Sequence, residues 1–253
     1  MKLYCIAILL LLLGCQQQKP PKETIRENEV QQLLSRMKAS ADIETEEGIA
    51  LVLLVDASGS MDDFVRDPGG DSQKKIDVAK RAAKRVIANI REFQNKNPKK
   101  KIKVAVYNFH ANSVTPLLPM TDALPAGTET LVENLSAFGN TPLGEAIASA
   151  KEAINKSHMK SGNIIVISDG ENTEGPTPDE AMRAMSQLPY AERARVFLIA
   201  FDVQAKLFDT VKEEGALVLE AQNNSELQQT MDYILYKKIL VEEPIVPQKE
   251  SLR

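Results

Sequence analysis

The sequence predicts a three-layer α/β/α fold, in which helices cover both faces of a doubly wound, mostly parallel central sheet. The first observation is an unbroken apolar run at 49–55, which is rich in Val, Leu and Ile and too short to cross a membrane. Such runs are typical of strands buried on both faces. The second observation is that further apolar runs, at 164–168 and 195–201, alternate with segments of helical periodicity. Strands that alternate with helices predict a doubly wound sheet.

The length and composition are sufficient for one such domain with short appendages. The chain has 253 residues, of which 26% are charged and 43% are hydrophobic, as is usual for a soluble globular protein. Its formal net charge is −4. This charge argues against general affinity for nucleic acids, which bind to basic surfaces.

The first residues are predicted to direct export and not to fold. Lys2 supplies a short positive region, and a nearly pure apolar stretch at 5–13 leads to the ending Leu12-Leu13-Gly14-Cys15. This stretch is too short for a membrane-spanning helix and is typical of a cleaved signal peptide, here residues 1–14. The ending resembles the lipobox of bacterial lipoproteins, which implies cleavage before Cys15 and lipidation of its sulfur. An ordinary signal peptide with an incidental cysteine is the alternative.

The lipobox resemblance implies a lipid anchor in the bacterial cell envelope. Gln16 follows the cysteine at the position where some bacteria place an aspartate for retention in the inner membrane, so the outer membrane is favoured. Cys5 would be removed with the signal and Cys15 would carry the lipid. The mature chain would then have no cysteine for a disulfide, and its stability would come from the core and from bound metal.

Residues 15–45 are predicted to form a lipidated tether that includes a short amphipathic helix. The segment 16–23 is polar and contains two prolines, which favours an extended, solvated chain. The helix is predicted at 24–40 because apolar residues recur there at helical spacing, namely Val30, Leu33, Leu34 and Met37. We expect this helix to pack onto the domain, and binding to a partner is the alternative. An acidic linker at 42–47 leads to the first strand.

The following segments alternate between helices and strands. A helix is predicted at 75–93 because Ile76, Ala83 and Ile90 share one face, with Lys and Arg outside. The other predicted helices are 128–135, 143–154, 178–187, 205–214 and a terminal helix. The other predicted strands are 102–109, 164–168, 195–201 and 216–220.

Turns and caps separate these elements. The segment 115–126 is predicted to be a proline-rich loop, and Pro142 is predicted to lie in the first turn of its helix. Ser225 and Gln228 have the spacing of a capping box for the terminal helix. Residues 241–253 contain two prolines and are predicted to form a tail.

Polar side chains follow two of the predicted buried strands. Asp56, Ser58 and Ser60 leave the end of the first strand at alternate positions, and Asp169 follows the strand at 164–168. The carboxyl ends of strands are where open α/β sheets place ligand sites. Carboxylates and hydroxyls are hard oxygen donors, which suit Mg²⁺, Mn²⁺ or Ca²⁺ better than zinc or copper. Thr141 lies at the start of a predicted helix, where it is either a further ligand or a helix cap.

The segment DASGS at 56–60, together with Thr141 and Asp169, resembles the metal-ion-dependent adhesion site of the von Willebrand factor A domain family. The resemblance covers roughly residues 46–240. It implies a Rossmann-like sheet with one antiparallel edge strand, which we place at 102–109. It also implies that Ser58, Ser60 and, in the ligand-bound state, Thr141 contact Mg²⁺ (or Mn²⁺ or Ca²⁺). Asp56 and Asp169 would act directly or through waters.

An acidic segment at 62–74 follows the first strand where the family often has a short connection. It contains Asp62, Asp63, Asp67 and Asp71 and the flexible Pro68-Gly69-Gly70. Because loops beside a site often carry specificity, these aspartates are candidates for the rim of the ligand site. A mobile acidic loop without a role in binding is an equally open alternative.

The resemblance implies a binding function without catalytic residues. An open metal position would accept an exposed Asp or Glu of a protein partner, so the chain would be a membrane-anchored adhesion or protein-binding module. An envelope scaffold with a structural metal is the alternative, and a metal-dependent hydrolase is less favoured. No nucleophile elbow of the form G-x-S-x-G and no glycine-rich phosphate motif occurs in the sequence. We expect no small-molecule substrate and no nucleic-acid partner.

Overall fold

The computed structural model of the protein describes residues 22–39 and 44–241. The predicted signal peptide at 1–14, the predicted lipidation site Cys15, the beginning of the predicted tether, the start of the predicted acidic linker and all but the first residue of the predicted tail at 241–253 lie outside the described residues. Among the described helices, none is both long enough and apolar enough to cross a bilayer.

Six strands form the central sheet, as the fold class requires. The strands of the molecule are β1 (Glu46–Asp56), β2 (Phe64–Arg66), β3 (Ser72–Lys74), β4 (Ile102–His110), β5 (Ser113–Thr121), β6 (Met159–Ser168), β7 (Arg195–Phe201) and β8 (Leu217–Ala221). Their order in the sheet is β5-β4-β1-β6-β7-β8, and β2 and β3 form a separate antiparallel hairpin. All neighbours in the main sheet are parallel except β4 and β5. The predicted doubly wound, mostly parallel sheet is confirmed.

The antiparallel edge strand is β5, so its predicted placement at 102–109 was wrong. The segment 102–109 lies in β4, which pairs in parallel with β1. Most of β5 was predicted to be loop, because Pro116 and Pro119 interrupt its pattern. An edge strand tolerates proline because one of its sides has no ladder partner that needs the missing N–H.

Helices cover both faces of the sheet. They are α1 (Lys22–Met37), α2 (Lys75–Lys96), α3 (Leu143–Ser157), α4 (Pro178–Ser186), α5 (Asp209–Glu213) and α6 (Asn224–Tyr233), which continues as a π-helix over Ile234–Ile239. Alternate residues of β1 face opposite layers, so that Leu53 packs with the α2 and α6 side and Leu54 packs with the α3 and α4 side. Both are fully buried, as expected for a central strand.

The helix α1 packs onto the domain, as expected for its apolar stripe. Val30, Leu33 and Met37 are buried in the layer that contains α3 and α4. Arg36 on the outer side forms ion pairs with Glu145 and Glu152 of α3. This helix is therefore part of the packed structure.

Several local predictions differ from the structure. The segment 205–214 contains a short 3-10 helix at Ala205–Phe208 followed by α5, and Thr128–Val132 is also a 3-10 helix. The N-cap of α3 is Pro142, which therefore lies one position before the first helical turn.

The terminal helix α6 is capped two residues earlier than predicted. Asn223 accepts a hydrogen bond from the Glu226 N–H in place of the predicted pair Ser225 and Gln228. Both pairs have the same i, i+3 spacing, so that spacing alone did not distinguish them.

Candidate metal centre

Three carboxylates meet at the carboxyl edge of the sheet. Asp56 ends β1, Asp169 follows β6, and Asp202 follows β7. These strands are parallel neighbours, so their carboxyl ends lie side by side. This is the edge at which open α/β sheets bind their ligands.

The hydroxyls of Ser58 and Ser60 form a hydrogen-bonded chain with Asp169. The two Oγ atoms are 3.3 Å apart, and Ser60 Oγ donates to Asp169 Oδ1 at 2.6 Å. Ser58 is 1% exposed and Asp169 is 4% exposed. Two of the predicted ligand segments are thus in direct contact through the oxygen atoms of Ser60 and Asp169, which are 109 residues apart in sequence.

Asp56 holds the loop that carries the serines. Its Oδ1 accepts from the Ser58 N–H at 2.8 Å, and its Oδ2 accepts from the Ser168 hydroxyl at 2.5 Å. Burial raises the pKa of the Asp56 carboxyl to about 6, although the hydrogen bonds from Ser168 and Ser58 favour the charged form. Both of its oxygens are therefore used to fix the start of the serine loop and the end of β6.

Thr141 lies on the adjacent loop and is 4% exposed. Its N–H donates to Thr173 Oγ1 at 2.8 Å, and its carbonyl accepts from the Thr173 N–H at 3.0 Å. The same loop accepts a hydrogen bond from the Gly59 N–H at the Gly139 carbonyl. The structure therefore joins the Thr141 loop to the serine loop through the main chain.

Gly139 allows the Thr141 loop to pass close to Ala111 in the turn between β4 and β5. Its φ of +75° lies in the left-handed region that glycine adopts without strain. A Cβ at this position would also lie 2.6 Å from the Cβ of Ala111. Glycine is therefore required here by both the backbone conformation and the space.

Lys75 is a further member of the site. The helical pattern of 75–93 had predicted that it faces outward with the other lysines. It is the first residue of α2 and is 8% exposed. Its Nζ lies 3.0 Å from Asp169 Oδ2 and 3.0 Å from Asp202 Oδ2. Burial lowers the pKa of Lys75, but the hydrogen bonds to Asp169 and Asp202 outweigh burial and raise it above its ordinary value.

Ser168 and Asp202 were also absent from the predicted site. Asp202 could have been found by the rule that identified Asp56 and Asp169, because it follows the buried strand β7. Ser168 is the last residue of β6, directly before Asp169. Lys75 had no such signal, since its position depends on how the hairpin β2–β3 leads into α2.

The donor set fits a hard divalent cation. An octahedral Mg²⁺ has oxygen ligands at 2.0–2.1 Å, so adjacent ligands are about 3 Å apart. The separations of 3.3 Å between the serine hydroxyls and 2.6 Å from Ser60 to Asp169 bracket this value. Within residues 22–39 and 44–241, no group of three or more His, Cys, Asp or Glu side chains has the geometry of a metal site. A cation here would depend on the serine and threonine hydroxyls.

The acidic segment at 62–74 forms the hairpin β2–β3 beside the site. Asp62 pairs with Lys74 at 2.6 Å, and the Asp67 carboxylate accepts from the Asn224 N–H at 2.9 Å and from Gln73 at 3.3 Å. Asp63 and Asp71 are exposed. The hairpin is therefore an ordered extension. Asp62 is paired within it, and Asp67 joins it to Asn224 of α6.

Two large apolar side chains are exposed near the site. Phe64 begins the hairpin and is 62% exposed, and Phe138 precedes Gly139 and is 53% exposed. The Phe138 N–H donates to the Ala57 carbonyl, and its ring contacts that of His110. Aromatic side chains thus flank the serine loop on both the hairpin and the Thr141 loop.

Comparisons with solved structures show the same fold in proteins of distant sequence. A minor pilin, PilB from Streptococcus sanguinis, has 17% identity and a TM-score of 0.55, and the match covers 77% of this chain and 62% of the pilin. A von Willebrand factor type A protein from Catenulispora acidiphila has 19% identity and a TM-score of 0.56, with 75% and 42% covered. The chain thus spans less than two thirds of these proteins.

A third structure with the same fold is described as holding a metal. Proximal thread matrix protein 1 from the mussel byssus, described with a zinc-occupied MIDAS motif, has 14% identity and a TM-score of 0.56. The match covers 76% of this chain and 46% of that protein. None of the curated proteins compared with this chain matches it. At these identities the similarity establishes the fold alone.

A family model matches a part of the chain that includes most of the site. The model describes the von Willebrand factor type A domain, and the match covers residues 51–171. These bounds contain Asp56, Lys75 and Asp169. Over residues 51–171 the chain is therefore similar to the von Willebrand factor type A domain, and its fold is that of the solved structures compared with it.

Proposed function

We propose that this chain is a lipid-anchored interaction module of the bacterial envelope, which uses a divalent cation to bind an Asp or Glu of a protein partner. The observation that carries the proposal is the cluster of Ser58 Oγ, Ser60 Oγ and Asp169 Oδ1, whose spacing is that of ligands around one cation. Domains of the von Willebrand A type commonly mediate interactions between proteins through such a site.

The two serines and Thr141 are the direct ligands in this proposal. Hydroxyl groups are neutral, so a bound Mg²⁺ or Mn²⁺ would keep much of its positive charge and would attract a carboxylate from outside. Asp169 presents Oδ1 toward Ser60, and Asp56 orients Ser58 through its N–H. The zinc-occupied site in the mussel protein supports the idea that this kind of site accepts a divalent cation.

The alternative, a scaffold component with a structural metal, is less well supported by the contacts. Both oxygens of Asp56 and both oxygens of Asp169 accept hydrogen bonds from protein groups. The fold therefore compensates these buried carboxylates without a cation, and a cation is not needed to hold the strands together. This favours a site whose metal serves a ligand.

The anchor would hold the domain near the membrane. Six residues, 16–21, separate Cys15 from the first described residue of α1. A fully extended chain of this length spans at most about 25 Å. If Cys15 carries a lipid, fractionation of expressing cells should place the wild-type chain in the membrane fraction and Cys15→Ser in the soluble fraction. Equal distribution of the two proteins would contradict the anchor.

Thermal unfolding of the full chain in detergent tests the metal site. We expect Mg²⁺ or Mn²⁺ at about one hundred times its Kd to stabilise the wild type by about 2.7 kcal/mol. For a domain of this size, that corresponds to a rise in Tm of roughly 5–10 °C. Ser58→Ala and Asp169→Ala should abolish the rise, whereas Ser72→Ala, which alters an exposed serine of the hairpin, should retain it.

The partner chemistry is tested by panning a random-peptide display library against the immobilised chain with Mg²⁺ or with EDTA. We expect enriched peptides to contain Asp or Glu and to be lost in EDTA and in Ser58→Ala. Metal binding without any such enrichment would favour the scaffold alternative. The absence of a response to every cation, both in the wild type and in folded Lys75→Met, would remove the metal site from the proposal.

A further inference from the structure

Lys75 places a buried positive charge beside the proposed cation. Its ammonium contacts Asp169 and Asp202, which stand at the ends of the adjacent strands β6 and β7. Asp202 adopts a φ of +56°, an uncommon conformation for a residue other than glycine. The contact of Lys75 with both carboxylates therefore depends on this backbone conformation of Asp202.

The ammonium and the cation would share one carboxylate. Lys75 binds Asp169 Oδ2, and Ser60 binds Asp169 Oδ1. Lys75 therefore leaves a single oxygen of Asp169 on the side of the hydroxyl ligands. Its positive charge also offsets one unit of the negative charge of the three carboxylates at this edge of the sheet.

We propose that Lys75 is a positioning residue that lowers the intrinsic affinity of the metal centre and thereby makes tight cation binding depend on a carboxylate from a partner. This inference rests on the proposed function. With the ammonium in place, the protein neutralises less of the charge of a divalent cation, and an incoming carboxylate supplies the missing negative charge. Cation and partner then bind with positive coupling, each raising the affinity for the other.

The exposed neighbour Lys74 provides a matched control. It precedes Lys75 in the chain and pairs with Asp62, but its side chain is 41% exposed and its partner is 57% exposed. Removing the charge of Lys74 changes the net charge of the protein by the same amount. A difference between the two variants would therefore report on the position of Lys75 and not on net charge.

The experiment is a titration of the full chain in detergent with Mn²⁺ alone, followed by calorimetry. We expect Lys75→Met to lower the Kd for Mn²⁺ by roughly tenfold or more, because a positive charge within a few ångströms of the site is removed. Lys74→Met should leave the Kd close to that of the wild type. Lys75→Arg should do the same, because it keeps the positive charge. Asp202→Asn should raise the Kd, since the ammonium is then left to Asp169 alone.

The coupling is measured in the same proteins with a peptide enriched in the library experiment. The ratio of the Mn²⁺ Kd without and with the peptide should be larger in the wild type than in Lys75→Met. A purely structural role for Lys75 would leave this ratio unchanged. If Lys75 were purely structural, Lys75→Met would also have the same decrease in Tm with and without Mn²⁺. We expect instead that Mn²⁺ restores most of the decrease in Tm.

The outcomes separate this inference from the proposed function. If the wild type binds Mn²⁺ and folded Lys75→Met binds it with the same or lower affinity, the inference is overturned and the proposed function stands. If Lys75→Met binds Mn²⁺ and the wild type alone does not, the inference is supported in its strongest form. If neither protein binds Mn²⁺, both are overturned.

Discussion

Among residues 22–39 and 44–241, two lysines are buried, on opposite sides of the sheet, and their environments differ. Lys75 on the α2 side contacts two carboxylates, and its pKa is raised. Lys151 on α3 is 1% exposed and donates to the Met37 carbonyl and to the Asn155 side chain, which are uncharged. Burial lowers the pKa of Lys151 from 10.5 to about 8, although the charge of Glu192 acts in the opposite direction.

The comparison shows that the partners of a buried lysine, and not burial alone, decide whether its pKa is raised or lowered. At the carboxyl edge, Lys75 compensates two negative groups and is compensated by them. Under α1, Lys151 closes the C-terminal end of a helix by binding its last carbonyl, together with Asn155. Lys75 contributes to the electrostatic field of the candidate metal centre. Lys151 holds α1 against α3, and burying its charge is unfavourable.

The largest expected effect comes from removing the carboxylate partners of Lys75. In EDTA, the double variant Asp169→Asn with Asp202→Asn should lose about 3–5 kcal/mol of unfolding free energy, because the ammonium is left buried without a counter-charge. Urea denaturation measures the loss. Adding Lys75→Met to the double variant should recover most of it, because no buried charge then remains at this position.

The exposed pair of Lys74 and Asp62 provides the control for this prediction. Asp62→Asn should change the unfolding free energy by less than about 0.5 kcal/mol, because an exposed ion pair contributes little. A loss below about 1 kcal/mol in the double variant would mean that Lys75 finds other compensation. The contrast between paired and unpaired buried lysines would then be unfounded.

The second effect is a pH dependence that belongs to Lys151. Its pKa of about 8 in the folded state is below the ordinary 10.5, so the unfolded chain binds more protons between these values. The unfavourable contribution is therefore complete below pH 8 and is relieved as the pH rises toward 10.5. Relative to Lys151→Met, the wild type should gain about 3 kcal/mol of stability across this range.

Urea denaturation of both proteins at several pH values between neutral and alkaline measures this gain. The difference between wild type and variant removes the contributions of the other titrating groups, which the two proteins share. Lys156→Met, an exposed lysine on the same helix, is the matched control. If the difference in unfolding free energy between the wild type and Lys151→Met is the same at every pH, Lys151 does not carry an unfavourable charge.

Much of the fold could be predicted because its elements are defined by local patterns. The strand at 195–201 was predicted with the bounds of β7, since an apolar run of this length has few alternatives. The edge strand β5 was missed because its pairing with β4 is a contact between segments, and Pro116 and Pro119 favour a loop when considered alone. A local pattern contains no information on which strand will lie at an edge.

The same distinction applies to the site. Asp56 and Asp169 were identified because a polar residue after a buried strand has a fixed location in a parallel sheet. Lys75 was assigned to the outer face of its helix because the pattern of 75–93 gives only the direction of the apolar stripe. Its burial follows from the hairpin β2–β3, whose pairing begins with Phe64 opposite Lys74 and brings the start of α2 over the carboxylates. The sequence pattern did not contain this hairpin.

The smallest expected effect concerns a charge that is only half-buried. Asp67 in the turn between β2 and β3 accepts from the N–H of Asn224, the first residue of α6. A carboxylate at a helix N-terminus satisfies an otherwise unpaired N–H and interacts favourably with the helix dipole. Because Asp67 is partly solvated, Asp67→Ala should cost only about 1 kcal/mol, as is typical for a lost cap.

Hydrogen exchange of the first turn of α6 distinguishes a cap from a simple loss of hairpin charge. Asp67→Ala should increase exchange at Asn224 and its neighbours, whereas Asp71→Ala, which removes an exposed carboxylate from the same hairpin, should not. Equal exchange in both variants would mean that the hairpin moves independently of α6. Faster exchange in Asp67→Ala alone would instead show that the hairpin beside the metal site and the terminal helix are joined through one carboxylate. In that case the half-buried charge of Asp67 fixes the contact between the hairpin and α6 although it contributes little to stability. The ion pairs of the buried Lys75 are expected to contribute more.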